Sequence, residues 1–113
     1  MALSDVLTTP ETQRQRRDWH FAHRQHHEMI RAEIQTKTKV NLPLLIMDPV
    51  GDSPEQVKNW LNDHQQMHDQ TNGILGLPSN DLTTVNFEDD LQRNAWFFYN
   101  YEDHYQWAQK LKV

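Results

Sequence analysis

Imidazole is the group in this chain best suited to chemistry, since there are seven histidines and no cysteine. Five of the seven fall on a repeated spacing. Trp60, His64 and His68 stand four residues apart, as do Trp19, His23 and His27, while Trp96, Asn100 and His104 repeat the pattern with an amide in place of one imidazole. Side chains four apart share one stripe of an α-helix. A branched apolar residue then follows each tryptophan by fifteen positions, at Ile34, Leu75 and Leu111. The chain therefore reads as three variations on one helix.

If the three helices lie side by side in the same direction, His27, His68 and His104 form one layer, and His23, His64 and Asn100 the layer before it. Imidazoles converging from three helices can hold a divalent metal such as zinc, with a fourth position left open. Asp63, Asp69, Glu102 and Asp103 lie beside these histidines and are candidates to orient the ligands. The same stripes equally suit a metal-free polar core, in which imidazole ring faces pack while ring nitrogens bond across helices and fix their register. Helical spacing alone favours that polar layer over a metal site at His27, His68 and His104. His20 and His26 are expected on the surface. With no cysteine, no glycine-flanked serine and no glycine-rich phosphate loop, the chain offers no catalytic residue and no cofactor motif, and an enzyme is not expected.

The 113 residues suit one domain with a modest core. Only 36% are hydrophobic and the mean hydropathy is -0.91, so little apolar material is spare and partner subunits are expected to supply some of the burial. The net charge of -5 is unevenly spread: residues 1–40 carry seven basic against five acidic side chains, and residues 41–113 four against eleven. An acidic body makes direct nucleic-acid contact unexpected. The early basic residues, Arg14, Arg16, Arg17, Arg24 and Arg31, read as a solvated helix face or as a docking face for an acidic neighbour. No apolar run is long enough for a signal peptide or a membrane span, so a soluble protein is expected.

The elements that must position the histidines can be placed from their punctuation. Residues 1–9 read as an irregular N-terminal arm, and residues 10–113 as one helical domain. Thr9-Pro10-Glu11 is a helix start, giving a first helix over about 10–37. Ser53-Pro54-Glu55-Gln56 repeats that signal as a capping box, and Asn72-Gly73 supplies a C-cap, giving a second helix over about 54–73. Asn86 is the candidate N-cap of a third helix over about 87–110, with Glu88, Asp89 and Asp90 suited to its positive end. The fold class is all-α, a three-helix bundle with long extended crossovers. Each crossover is longer than neighbouring antiparallel helices need, and twelve extended residues span about 40 Å, so both a parallel and an up-down-up arrangement are open.

Two features point outward. Leu44, Leu45 and Ile46, in the first crossover, read as cover for the core or as an extended segment added to another subunit. The third helix carries aromatics nearly all round, more than one small interior needs, so Phe97, Tyr101 and Trp107 are expected at an interface with another chain.

The segment His26-His27-Glu28-Met29, with His64 and His68, resembles the hemerythrin-like oxygen and iron binders in length and helicity, but that family pairs histidine with glutamate four positions later. Here Arg24, His27, Ile30 and Arg31 stand in that place. A second resemblance is carried by Trp60 to Asp69, Asn72 to Leu77, Asp81 to Phe87, Trp96 and Glu102-Asp103-His104. Over about residues 57–113 these are similar to small proteins of tailed bacteriophages encoded among virion structural genes, a family without a defined activity. The resemblance implies a non-enzymatic component of the head, neck or tail, assembled in the host cytoplasm with other virion subunits or with copies of itself. It transfers no site residue and implies no membrane.

Overall fold

The computed structural model describes Pro10 and residues 13–42 and 53–113. It is all-α: α1 spans Gln13–Thr38, α2 Pro54–Leu75 and α3 Asp90–Leu111. The arm over residues 1–9 and the crossover residues Leu44, Leu45 and Ile46 lie outside the described residues.

Helix ends follow local chemistry, with shifts from the sequence-based boundaries. Pro10 is buried and non-helical, while Thr9 and Glu11 lie outside the described residues. α1 closes on Lys39, which takes the left-handed conformation at φ 63° and donates its N–H to the Gln35 carbonyl. α2 begins as expected: Ser53 Oγ accepts from Gln56 N–H, and Gln56 Oε1 accepts from Ser53 N–H, the reciprocal capping box. It ends two residues later than Asn72-Gly73 suggests. Gly76, at φ 70°, is the left-handed cap, and Leu77 N–H reaches back to the Asn72 carbonyl at 2.8 Å in a Schellman closure. The extra half-turn carries Leu75 into the apolar core, and Asn72 is buried instead of capping. α3 begins three residues later than expected. Asp89 is its N-cap, accepting from Gln92 N–H, while Asn86 closes a turn ahead of the helix by accepting from Glu88 N–H.

Side-chain layers settle the direction left open by the sequence. Trp96 lies 5.9 Å, ring centre to ring centre, from both Trp19 and Trp60. His23 and His64 meet one turn on, at 5.1 Å, and His27 meets His68 at 5.1 Å and His104 at 4.5 Å. Ile34, Leu75 and Leu111 close the series in one apolar cluster. The order Trp, His or Asn, His, then aliphatic runs the same way along all three helices, so they are parallel. α3 packs against both α1 and α2.

The second crossover returns along the outside of α2. Gln65 holds it through its Oε1, which accepts Leu82 N–H at 2.6 Å, and its Nε2, which donates to the Asn80 carbonyl. Trp96 Nε1–H donates to the Leu82 carbonyl, and Leu82 inserts beside Trp19, Leu61, Trp96 and Phe97. The core is thus two apolar plugs, the tryptophan layer at the N-terminal end and Ile30, Ile34, Leu75, Trp107 and Leu111 at the C-terminal end. Between them lies a belt of histidine, asparagine and aspartate.

Candidate metal centre

Parallel register brings six histidines into that belt: His23, His26, His27, His64, His68 and His104 are each no more than 2% exposed. Each tryptophan of α1 and α2 stacks on its own following imidazole, Trp19 on His23 at 4.4 Å with 14° between planes and Trp60 on His64 at 4.9 Å with 13°. The indole layer therefore roofs the belt and excludes water from it. In the third repeat Asn100 takes the imidazole's place, and its Oδ1 sits 2.9 Å from His64 Nε2 and 3.2 Å from His23 Nε2.

Four imidazoles, His23 and His27 from α1 and His64 and His68 from α2, place one ligand nitrogen each so that all four lie within 4.8 Å of one another. His23 Nε2 is 3.1 Å from His27 Nε2 and 3.3 Å from His64 Nε2. A tetrahedral centre with metal–nitrogen bonds of 2.0–2.1 Å has ligand–ligand edges of about 3.3 Å. The two close pairs already have that spacing, and the widest separation must contract for all four to bind one ion.

His68 shows the arrangement most clearly. Its Nδ1–H donates to Asp103 Oδ2 at 2.8 Å, which fixes the tautomer and leaves Nε2 as a lone pair, buried with no hydrogen-bond partner. A carboxylate behind a histidine is the usual means of orienting a metal ligand. Asp103 is held in turn by Asn72 Nδ2 at 3.4 Å, and Asn72 Oδ1 accepts Trp107 Nε1–H at 2.7 Å. Of the four acids named beside the histidines, Asp103 is the one that reaches the belt. Asp69 instead accepts from Gln65 on the exposed side of α2.

Burial keeps the imidazoles neutral. His23, His27, His68 and His104 are driven well below the ordinary histidine range, first by desolvation and then by neighbouring imidazoles. Desolvation takes His64 to about 3 and His26 to about 4. Burial pushes the Asp103 carboxyl up to about 6, against hydrogen bonds from Asn72 and Asn80. For the His68–Asp103 pair, desolvation sets both directions. The pair is a neutral imidazole donating to a carboxylate at neutral pH, not a charged ion pair. A neutral imidazole has one lone pair, so His23 and His64 must release Asn100 Oδ1 and carry their proton on Nδ1 before Nε2 can bind a metal.

The structure redistributes the residues expected from spacing. His27 and His68 belong to the four-nitrogen group, but His104 does not; its Nδ1 is 2.6 Å from His26 Nδ1, and its Nε2 is buried without a partner. His26, expected on the surface, is buried at that contact. Phe97 and Trp107, expected at an interface, are core residues at 7% and 0% exposure, and Tyr101 is half-buried against Tyr105. Both aromatics lie on the flank of α3 that faces α1 and α2, where the chain's own apolar material covers them. The side chains that do point outward are Leu91, Phe98, Tyr99 and Tyr105.

Compared with known proteins, the chain matches no family model, no curated protein and no solved structure.

Proposed function

We propose that the protein is a metal-binding helical bundle, with a divalent first-row cation held by His23, His27, His64 and His68. The observation that carries this reading is four water-excluded, neutral imidazoles with their ligand nitrogens within 4.8 Å. An all-nitrogen set with a nearby amide oxygen suits zinc, copper(II) or nickel, and does not suit calcium or magnesium, which take oxygen ligands. The ion's role is structural. It ties α1 to α2, the two helices that each pack chiefly on α3.

The test is metal analysis of untagged protein together with melting before and after chelation. Near-stoichiometric metal and a lower melting temperature on stripping are expected, with the metal-dependent part of the stability absent in His68→Ala. A chain that purifies metal-free, takes up none of zinc, nickel or copper, and melts unchanged in chelator would falsify the reading.

A second reading is assembly: a non-enzymatic component of a tailed-phage virion. The likeness of residues 57–113 to such proteins supports it, and the observation favouring it is the outward aromatic face of α3. It predicts the protein in purified particles at a fixed copy number that chelator does not change.

A further inference from the structure

One face of α3 is uncovered by any described residue. Leu91, Phe98, Tyr99 and Tyr105 are 81%, 54%, 47% and 39% exposed. Leu91, Phe98 and Tyr105 are seven residues apart and, with Ala95, Glu102 and Gln109 each four residues further on, line one stripe with the spacing of a two-helix seam. That seam lies on the side of α3 opposite Trp96, Asn100, His104, Trp107 and Leu111, which face the core.

We propose that this face docks on the same face of a second copy of the chain, the two α3 helices running antiparallel about a twofold axis at Phe98. Charge selects both the occupant and the direction. Glu88, Asp89 and Asp90 stand exposed at the start of α3, and Lys110 and Lys112 stand exposed at its end. Antiparallel pairing sets each acidic cluster beside the lysines of the other copy, whereas parallel pairing sets like beside like. Within its own chain Asp90 pairs with Arg93 at 2.8 Å and Asp89 Oδ1 caps the helix, which leaves Glu88 as the main partner for the lysines. The spacing is self-complementary as well. Leu91 and Tyr105 are equally far from Phe98 in sequence, so the twofold axis that places Phe98 on its own copy places Leu91 on Tyr105 of the partner subunit twice over.

The contact uses no histidine and is independent of the metal centre, and of whether the assembly belongs to a virion. It is tested by sedimentation of the full chain, with and without chelator. A species of twice the 13.5 kDa chain mass is expected in both conditions. Phe98→Glu, which sets two carboxylates together on the axis, weakens association by about 100-fold or more. Helix content and monomer melting stay unchanged because Phe98 is exposed. The chain has no cysteine, so cross-links report geometry directly. With diamide accepting the two hydrogens, Phe98→Cys closes a disulfide to its own copy, while Asn62→Cys, exposed on α2, does not. Leu91→Cys cross-links to Tyr105→Cys and not to itself. A monomer at high micromolar concentration, a dimer that survives Phe98→Glu, or Leu91→Cys joining to itself would each overturn the proposal.

Discussion

Asn100 shows how much one side chain contributes to this interior. It stands where the other two repeats carry an imidazole, and its single carbonyl oxygen lies within hydrogen-bond distance of both His23 Nε2 and His64 Nε2. A third imidazole at that point would add a ring to a layer already occupied by two, with no acceptor stronger than another imidazole. Asn100→Ala removes the shared acceptor and strands buried polar atoms, each costing about 1–3 kcal/mol, with a cavity added. Urea unfolding should show the loss, and Asn100→Asp should not restore it, since a carboxylate at this depth needs a charged partner. Asp103 acts one step further out. Asp103→Asn keeps the volume but removes the carboxylate that fixes the His68 tautomer, so zinc or nickel affinity should fall about 10- to 100-fold. Titration of the chelated protein with metal reads that change directly, and the apo protein's helix content serves as the folding control.

At the scale of the helix, the sequence was most informative where punctuation and periodicity agree. Ser53-Pro54 with Gln56 is a start signal made of nearest neighbours, and the structure forms it as such. Replacing Ser53 by Ala should cost about 1 kcal/mol by thermal or urea melts. At the other end, Gly76→Ala forces a Cβ into the left-handed region at φ 70° and should cost about 1–2 kcal/mol, although no atom crowds the added methyl. The ladder of Trp19, Trp60 and Trp96 was legible, and so was the layer of His23, His64 and Asn100. His26 was not, and Asp103 was legible only as one of four acids beside the histidines, because steps of four drift around a helix. Each lies seven residues after its tryptophan, about 20° from it in helical phase, and so closer to the buried stripe than the residue eight after it. Met67 holds the same place in α2 and is also buried. Helix direction was open for a different reason. Crossover length permits either arrangement, and only contacts between layers decide it. Phe97 and Trp107 were misplaced because aromatic density says that a helix has two apolar faces without saying which residue belongs to which.

The molecule as a whole is a water-excluded bundle whose middle is built from groups that gain a proton near neutrality when exposed. Buried neutral in the fold, the six belt histidines titrate well below 6.5, while their unfolded counterparts titrate near it. As pH falls below about 6.5 the unfolded chain binds protons that the folded chain refuses. Stability then drops by about 1.4 kcal/mol per pH unit for each histidine still neutral in the fold. Asp103 works the other way. Its folded pKa of about 6 lies above the unfolded value, so it favours the fold as pH falls between these two, but it is one group against six. The net expectation is full stability above about pH 7 and cooperative unfolding in mild acid, well before ordinary carboxylates are protonated. Bound metal shifts that transition to lower pH, because protons must then displace the ion as well. Melting curves from pH 8 to about 4, with and without chelator, check both parts. A metal-free chain whose midpoint is flat across that range would mean that the imidazole belt is open to water, and the parallel tryptophan roof with it.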